Sequence, residues 1–313
     1  MKVTFCAPTI LTGRLPFGFV IQIFSPKDHL ADAIGELWAV LFNGETEQHI
    51  PVKQEVPFRL CAFSTDSFEV RVGDALLEAG ILKGALQNGN SSIEWILSFE
   101  GDSTPLLLLP LKLYESKFPV AKSLVSLPHA SFSGKLIVNG ETIIVDGWHG
   151  SQNHNWGVRH TDLYAWGQVA GFDNDAEAFL EIATARLRLG PFWSPPFTPI
   201  VLRYKGAEYG LQGLLQSLRA HGSFEYFTWK FKSEAEHLAI DGVITAPAQA
   251  FIGLTYYNPP GGVKYCLNTK IAECTLWVKD RVAGTVQKLE TKNRAAFEIL
   301  TDDPVSHGIV MAV

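Results

Sequence analysis

Charge is sparse in this chain. Only 19% of its 313 residues are charged, and acids outnumber bases 32 to 26, for a net charge of −6. No basic block occurs, which argues against nucleic acid, whose phosphates such a surface repels. Cysteine is scarce too. Cys6, Cys61, Cys266 and Cys274 are scattered with no C-x-x-C pair, so neither a zinc ribbon nor a dense disulfide framework is expected. They read as reduced, mostly buried thiols of a reducing cytosol. Long apolar runs are missing. The longest, residues 105–111, falls far short of the roughly 18 residues of a membrane span and reads as a buried strand. The first residues lack a signal-peptide pattern, because Lys2 is followed by a segment broken by Pro8, Gly13, Arg14 and Pro16. A cytoplasmic protein without an integral membrane segment is therefore expected. There is no G-x-S-x-G around Ser151 or elsewhere, no Walker A and no G-x-G-x-x-G. A nucleophile elbow and a phosphate or dinucleotide loop are thereby excluded.

What remains is a β-rich, 47% apolar chain. Ile93, Trp95, Leu97 and Phe99 alternate with polar residues, as do Phe132, Leu136 and Val138, which is the period of a half-buried strand. Asn139-Gly140 and Asn43-Gly44 are strong hairpin signals, because a type I′ turn needs positive φ at both central residues. Lys205-Gly206 is a weaker one. Helical periodicity is confined to residues 119–125 and 28–37. About eighteen strands in all predict an all-β protein, and two barrel-like halves fit the length. Residues 190–199 hold four prolines, which cannot continue a sheet ladder. They mark either the division, into residues 1–189 and 190–313, or a cavity-lining loop carrying Phe192, Trp193 and Phe197.

The densest chemistry lies at residues 147–157, Gly-Trp-His-Gly-Ser-Gln-Asn-His-Asn-Trp-Gly. Amides, imidazoles and indoles packed this closely suit a pocket that holds an apolar ligand and steers it with a few polar atoms. A metal site is not expected. His149, His154 and His160 are five and six apart, whereas strand ligands sit two apart and helical ones four. In a strand, Gln152, His154 and Trp156 face one way and Asn153, Asn155 and Gly157 the other. His154 can then exchange a proton inside a cavity, while the asparagines can only hydrogen-bond. The competing reading is a structural hydrogen-bond cluster pinning two barrels together. Trp148, Trp156, Tyr164, Trp166, Phe192, Trp193 and Phe197 supply rings that suit polyenes or a developing carbocation.

Residues 126–188 resemble the carotenoid 1,2-hydratase, AttH-like and tocopherol-cyclase-like group. The likeness runs through Phe132-Ser-Gly-Lys-Leu-Ile-Val-Asn-Gly, Val145-Asp-Gly-Trp, Asn153-His-Asn-Trp-Gly157 and Tyr164-Ala-Trp-Gly. The resemblance implies two tandem lipocalin-like (calycin-type) β-barrels with the motif near their junction. It also implies a terpenoid, polyene or similar lipophilic substrate and no organic cofactor. Where the hydratases carry Asp this chain has Asn153, and where many carry Glu it has Asn155. An amide cannot protonate carbon, so a carboxylate such as Asp146, Asp162, Glu181 or Glu225 would have to substitute.

The expected protein binds a lipophilic intermediate and cyclises, isomerises or hydrates it without an organic cofactor. The alternatives are a non-catalytic carrier and a motif that is purely structural. His154, Asn153 and Asn155 are the expected catalytic residues. Trp148, Gln152, Trp156, Tyr164, Trp166 and Trp193 are the expected ligand contacts.

Overall fold

The computed structural model describes residues 3–11, 15–64, 66–101 and 104–313, the first of these stretches as backbone only. Lys2, Gly13, Arg14 and the Cys6 side chain, on which some expectations rest, lie outside it. Among the described residues the chain forms 24 strands and two short helices, Leu111–Glu115 and Leu214–Arg219. Two antiparallel sheets hold nearly everything. The twelve-stranded sheet runs from Val3–Leu11 to Glu141–Gly157, and the ten-stranded one from Leu163–Phe172 to Val286–Thr301. The change of sheet thus falls between Gly157 and Leu163, not at residue 189. Leu163–Phe172 pairs with Val286–Thr301 on one edge and with Asp175–Arg186 on the other, so both early strands belong to the second half. The prolines after residue 190 interrupt no ladder of either large sheet.

Each half is organised by one long hairpin. Ala121–Val138 pairs with Glu141–Gly157 through Asn139 and Gly140, at φ 51° and 87°, as the Asn-Gly pair requires. Val263–Asp280 pairs likewise with Val286–Thr301. The weaker signal, Lys205-Gly206, is also a tight two-residue turn, at φ 51° and 74°. Asn43-Gly44 instead opens a longer loop, in which the Asn43 side chain accepts from the amides of Glu45 and Thr46 and Leu41 pairs with Ile50. Both expected helices are overridden by sheet pairing: residues 119–125 enter the strand Ala121–Val138, and 28–37 give one turn followed by Ile34–Leu41. The apolar run at 105–111 contributes only the two-residue strand Leu106–Leu107 before the first helix.

Each sheet wraps a core of buried aromatic and aliphatic side chains. Trp95 packs on Phe19 and Phe17 at 4.4 and 6.3 Å in the first half, with Phe132 and Leu136 around them. Trp229 packs on Phe231 and Phe297 at 5.5 and 6.0 Å in the second. Each such ring contributes roughly 2–3 kcal/mol by leaving water. The alternate residues of the same strands point the other way. Those outer faces press the halves together, through Trp38, Val40 and Phe42 against Leu254, Cys266 and Leu300 on one flank. On the other, Leu106 and Val125 meet Ala170, Phe179 and Val201. No helix among the described residues is long and apolar enough to cross a membrane.

Candidate functional site

Between the two outer faces lies a cavity of about 500 Å³. Much of its wall is apolar, with Val20, Val40, Phe42 and Leu108 from the first half and Leu254, Ala183 and Phe197 from the second. One region is polar. Asn153 and Asn155 reach it from Glu141–Gly157, Trp166 from Leu163–Phe172, Asn268 and Lys270 from Val263–Asp280, and Glu298 from Val286–Thr301.

Strand parity explains why these residues meet. Leu267 turns into the second core, so Cys266 and Asn268 face out. Phe297 and Ile299 turn in, so Glu298 and Leu300 face out. Asn268 lies opposite Glu298, and Glu298 opposite Trp166, making one row across three strands. Glu298 Oε1 accepts from Asn268 Nδ2 at 2.6 Å and from Lys270 Nζ at 3.0 Å. Both donors converge on one oxygen of the carboxyl, and the second of them makes an ion pair with it. The Lys270 ammonium, almost wholly buried, lies 5.0 Å from the centre of the Trp166 ring, so the indole face shares in stabilising it.

Behind this wall a second row is wired to the first. Glu181 accepts from Trp166 Nε1 at 2.8 Å and from Gln168 Nε2 at 2.7 Å. Gln168 Nε2 also donates to Asn153 Oδ1 at 2.9 Å, and Gln168 Oε1 accepts from Ser151 Oγ at 2.5 Å. The two donors to Glu181 favour its charged form, but burial opposes it more strongly and pushes the carboxyl up to about 8. Glu181 is thus a neutral acid at pH 7.

Five of the nine expected site residues line the cavity: Asn153, Asn155, Trp156, Tyr164 and Trp166. His154, Gln152, Trp148 and Trp193 do not. His154 sits on the face opposite Asn153, its ring 5.0 Å from that of Trp156, and burial lowers its pKa, leaving it neutral and a poor proton donor. Gln152 is buried, and Trp148 packs on the first core. Trp193 lies beneath the guanidinium groups of Arg186 and Arg188, at 5.5 and 5.1 Å. Its neighbours Ser194, Pro195 and Phe197 do line the cavity, which accords with the loop reading of the proline-rich segment. The three histidines do not converge. His149 is exposed, and His160 lines the cavity with its ring bonded to the Tyr257 carbonyl. Among the described residues no group of three His, Cys, Asp or Glu is placed to hold a metal.

Of the four carboxylates named from sequence, Asp146 and Glu225 are exposed and Asp162 is tied to Arg159 and the Arg188 amide. Only Glu181 joins the network. Lys270, Glu298, Asn268 and Tyr256 were not among the expected residues. A signal for them existed: in Cys266-Leu-Asn-Thr-Lys-Ile and Ala296-Phe-Glu-Ile-Leu, charged and amide groups interrupt strands otherwise apolar enough to be buried on both faces.

No family model matches the chain. An uncharacterized protein of Mycobacterium tuberculosis, found in two strains, is 25% identical over 182 residues, 58% of this chain. The chain spans about half the length of these curated relatives, 54%. Two solved structures superpose along nearly the whole chain. Kievitone hydratase from Nectria haematococca gives a TM-score of 0.61 at 11% identity, covering 96% of this chain and 89% of its own. A putative AttH from Nitrosomonas europaea gives 0.56 at 12% identity, covering 96% and 91%. The fold is lipocalin-like, in two tandem halves. At such identities the likeness is one of fold, and the chemistry has to be argued from this chain's own residues.

Proposed function

We propose that the chain binds a lipophilic small molecule in the cavity between its halves and moves a proton on it, in a hydration, isomerisation or cyclisation. The observation that carries this reading is the Glu298–Lys270 pair set into an otherwise largely apolar wall. A carboxylate facing a cavity takes a proton from an activated carbon, a hydroxyl or a water. The ammonium 3.0 Å away stabilises the negative charge that then develops on the ligand, and does so more strongly out of water. Asn153, Asn155 and Asn268 orient polar atoms of the ligand, and Trp156, Tyr164, Trp166 and Tyr256 pack on its body. One of the two neighbours in fold is named as a hydratase, which accords with this class of chemistry. Direct protonation of an unactivated alkene fits less well, because the neutral acid Glu181 stands behind Trp166.

The test is turnover of a panel of polyenes, prenylated quinols and linear polyketide-like lipids, followed by mass spectrometry. Glu298→Gln and Lys270→Met should each lower product formation by about 10²–10⁴-fold, with circular dichroism unchanged. Tryptophan quenching by a panel member that is recovered unaltered would instead make the protein a carrier.

A further inference from the structure

The helix Leu214–Arg219 is inside out for a helix that meets water. Its buried residue is Ser217, while Leu214, Leu215 and Leu218 are 54%, 67% and 45% exposed. An ordinary surface helix turns its leucines to the core and its serine to solvent. Leu214 and Leu218 also line the cavity, so this helix stands at the cavity's mouth. Phe118 stands there too, lining the cavity while 58% exposed, with Leu111 at 64% in the preceding helix. A third segment, the hairpin of Arg188–Leu189 with Phe192–Trp193, hangs from Leu187 and Ser194, both in the cavity wall, and exposes Leu189 and Phe192. Single exposed apolar residues need no explanation, but three separate segments gathering them round one opening do.

These lips are built to hold still. Helices of five and six residues have little stability of their own. The first is held by Lys122 Nζ donating to the carbonyls of Tyr114 and Ser116, and by the Tyr114 hydroxyl donating to Ser123 O at 2.6 Å. The second is tied by Gln216 Nε2 to Glu234 O at 2.9 Å. The rim is also basic. Lys112, Lys117, Arg188 and Arg219 are exposed on these segments against a single acid, Glu115, in a chain whose net charge is −6.

We infer that the cavity mouth docks on an anionic lipid surface, with Leu111, Phe192 and Leu215 entering the acyl boundary and the four basic side chains meeting the headgroups. This rests on the reading that the cavity takes a lipophile, which such a surface delivers without passage through water.

The test is co-sedimentation of the full chain with vesicles of phosphatidylcholine alone or mixed with phosphatidylglycerol. Binding to the mixed vesicles is expected to be tighter by about tenfold or more, and to weaken with salt. Phe192→Glu with Leu215→Glu, neither in the cavity wall, should cost about tenfold or more in vesicle affinity. Lys112→Glu with Arg219→Glu should abolish the preference for the anionic lipid. Absence of binding, equal binding to both vesicles, or variants that bind like the parent would overturn the proposal. So would a dimer in light scattering that Leu215→Glu dissolves, since a second copy would then cover the mouth. Vesicle binding by a protein that takes up no lipophile would sink the ligand reading and leave the docking, whereas uptake without vesicle binding would do the reverse.

Discussion

Glu181 offers the sharpest test of the buried polar network. Its carboxyl has an ordinary value of 4.5 in an unfolded chain and is pushed up to about 8 in the folded one, with burial the dominant cause. A group whose folded pKa is raised contributes full stability below its unfolded value and loses it as pH rises towards the folded value. The loss therefore begins near pH 4.5 and is complete above about pH 8. A change from 4.5 to about 8 corresponds to at most about 5 kcal/mol. Linkage places about half of this between pH 5 and pH 7, where the unfolded carboxyl is ionised and the folded one still is not. Other carboxylates titrate in the same range, so the informative quantity is a difference. Urea unfolding of the parent and of Glu181→Gln, run at half-unit steps from pH 5 to pH 8, isolates it. Gln keeps the size and cannot ionise. The parent's stability relative to the variant should fall by about 2–3 kcal/mol from pH 5 to pH 7. A difference that stays flat over that range would show that Glu181 is already ionised in the folded protein, and the argument that burial outweighs its two donors would fail.

Three further outcomes follow from single contacts. Asn153→Ala removes the acceptor of one Gln168 amide proton in a buried network and should cost about 1–3 kcal/mol in chemical denaturation. Gly134→Ala places a Cβ against the Ile96 carbonyl at a φ of 137°, so a loss of about 3 kcal/mol or more, or failure to fold, is expected on expression and melting. Lys53→Met strips Glu36, which is fully buried, of its cation at 2.9 Å, and uncovers Trp38 and Tyr257, which the ammonium overlies at 4.3 and 4.5 Å. About 3–5 kcal/mol should be lost at pH 7, with much of it recovered when Glu36→Gln is added in a double-mutant cycle.

Much of the fold was legible because it is written locally. Asn139-Gly140 and the alternation on either side of it fix a hairpin without help from the rest of the chain. The expected helix at 119–125 failed because those residues are claimed by pairing with Glu141–Gly157, whose partners are distant in sequence. The cavity wall was half legible. Asn153, Asn155 and Trp156 stand in a conspicuous run, but the parity that grouped Trp156 with His154 and Gln152 does not describe the wall, which Trp156 shares with the asparagines. Which of the two faces met the ligand was not written there, since it depends on where the second sheet lies. Lys270 and Glu298 are 28 residues apart in sequence and 116 and 144 beyond His154. Nothing short of the strand register brings them to Asn153.

The polar wall itself argues for a role beyond holding the halves together. Two outer sheet faces need only apolar contact to adhere, and the flanks of this junction are built in that way from Trp38, Val40, Leu254 and Leu300, and from Val125, Phe179 and Val201. Between the flanks the chain buries Ser151, Asn153, Gln168, Glu181, Asn268 and Lys270, and sets Glu298 among them. Each such group costs free energy unless fully paired, and Asn268 Oδ1 has no partner at all among the described residues. A buried ion pair replaced by apolar groups of like volume commonly leaves a fold as stable or more so. If the wall serves only cohesion, replacing it should be harmless to everything. If it serves a ligand, Asn268→Leu with Lys270→Met and Glu298→Leu should leave the melting temperature equal or higher while abolishing turnover of the lipophile. A triple variant that unfolds would refute the premise that apolar groups can take the wall's place, and one that keeps turnover would remove Glu298 and Lys270 from the chemistry.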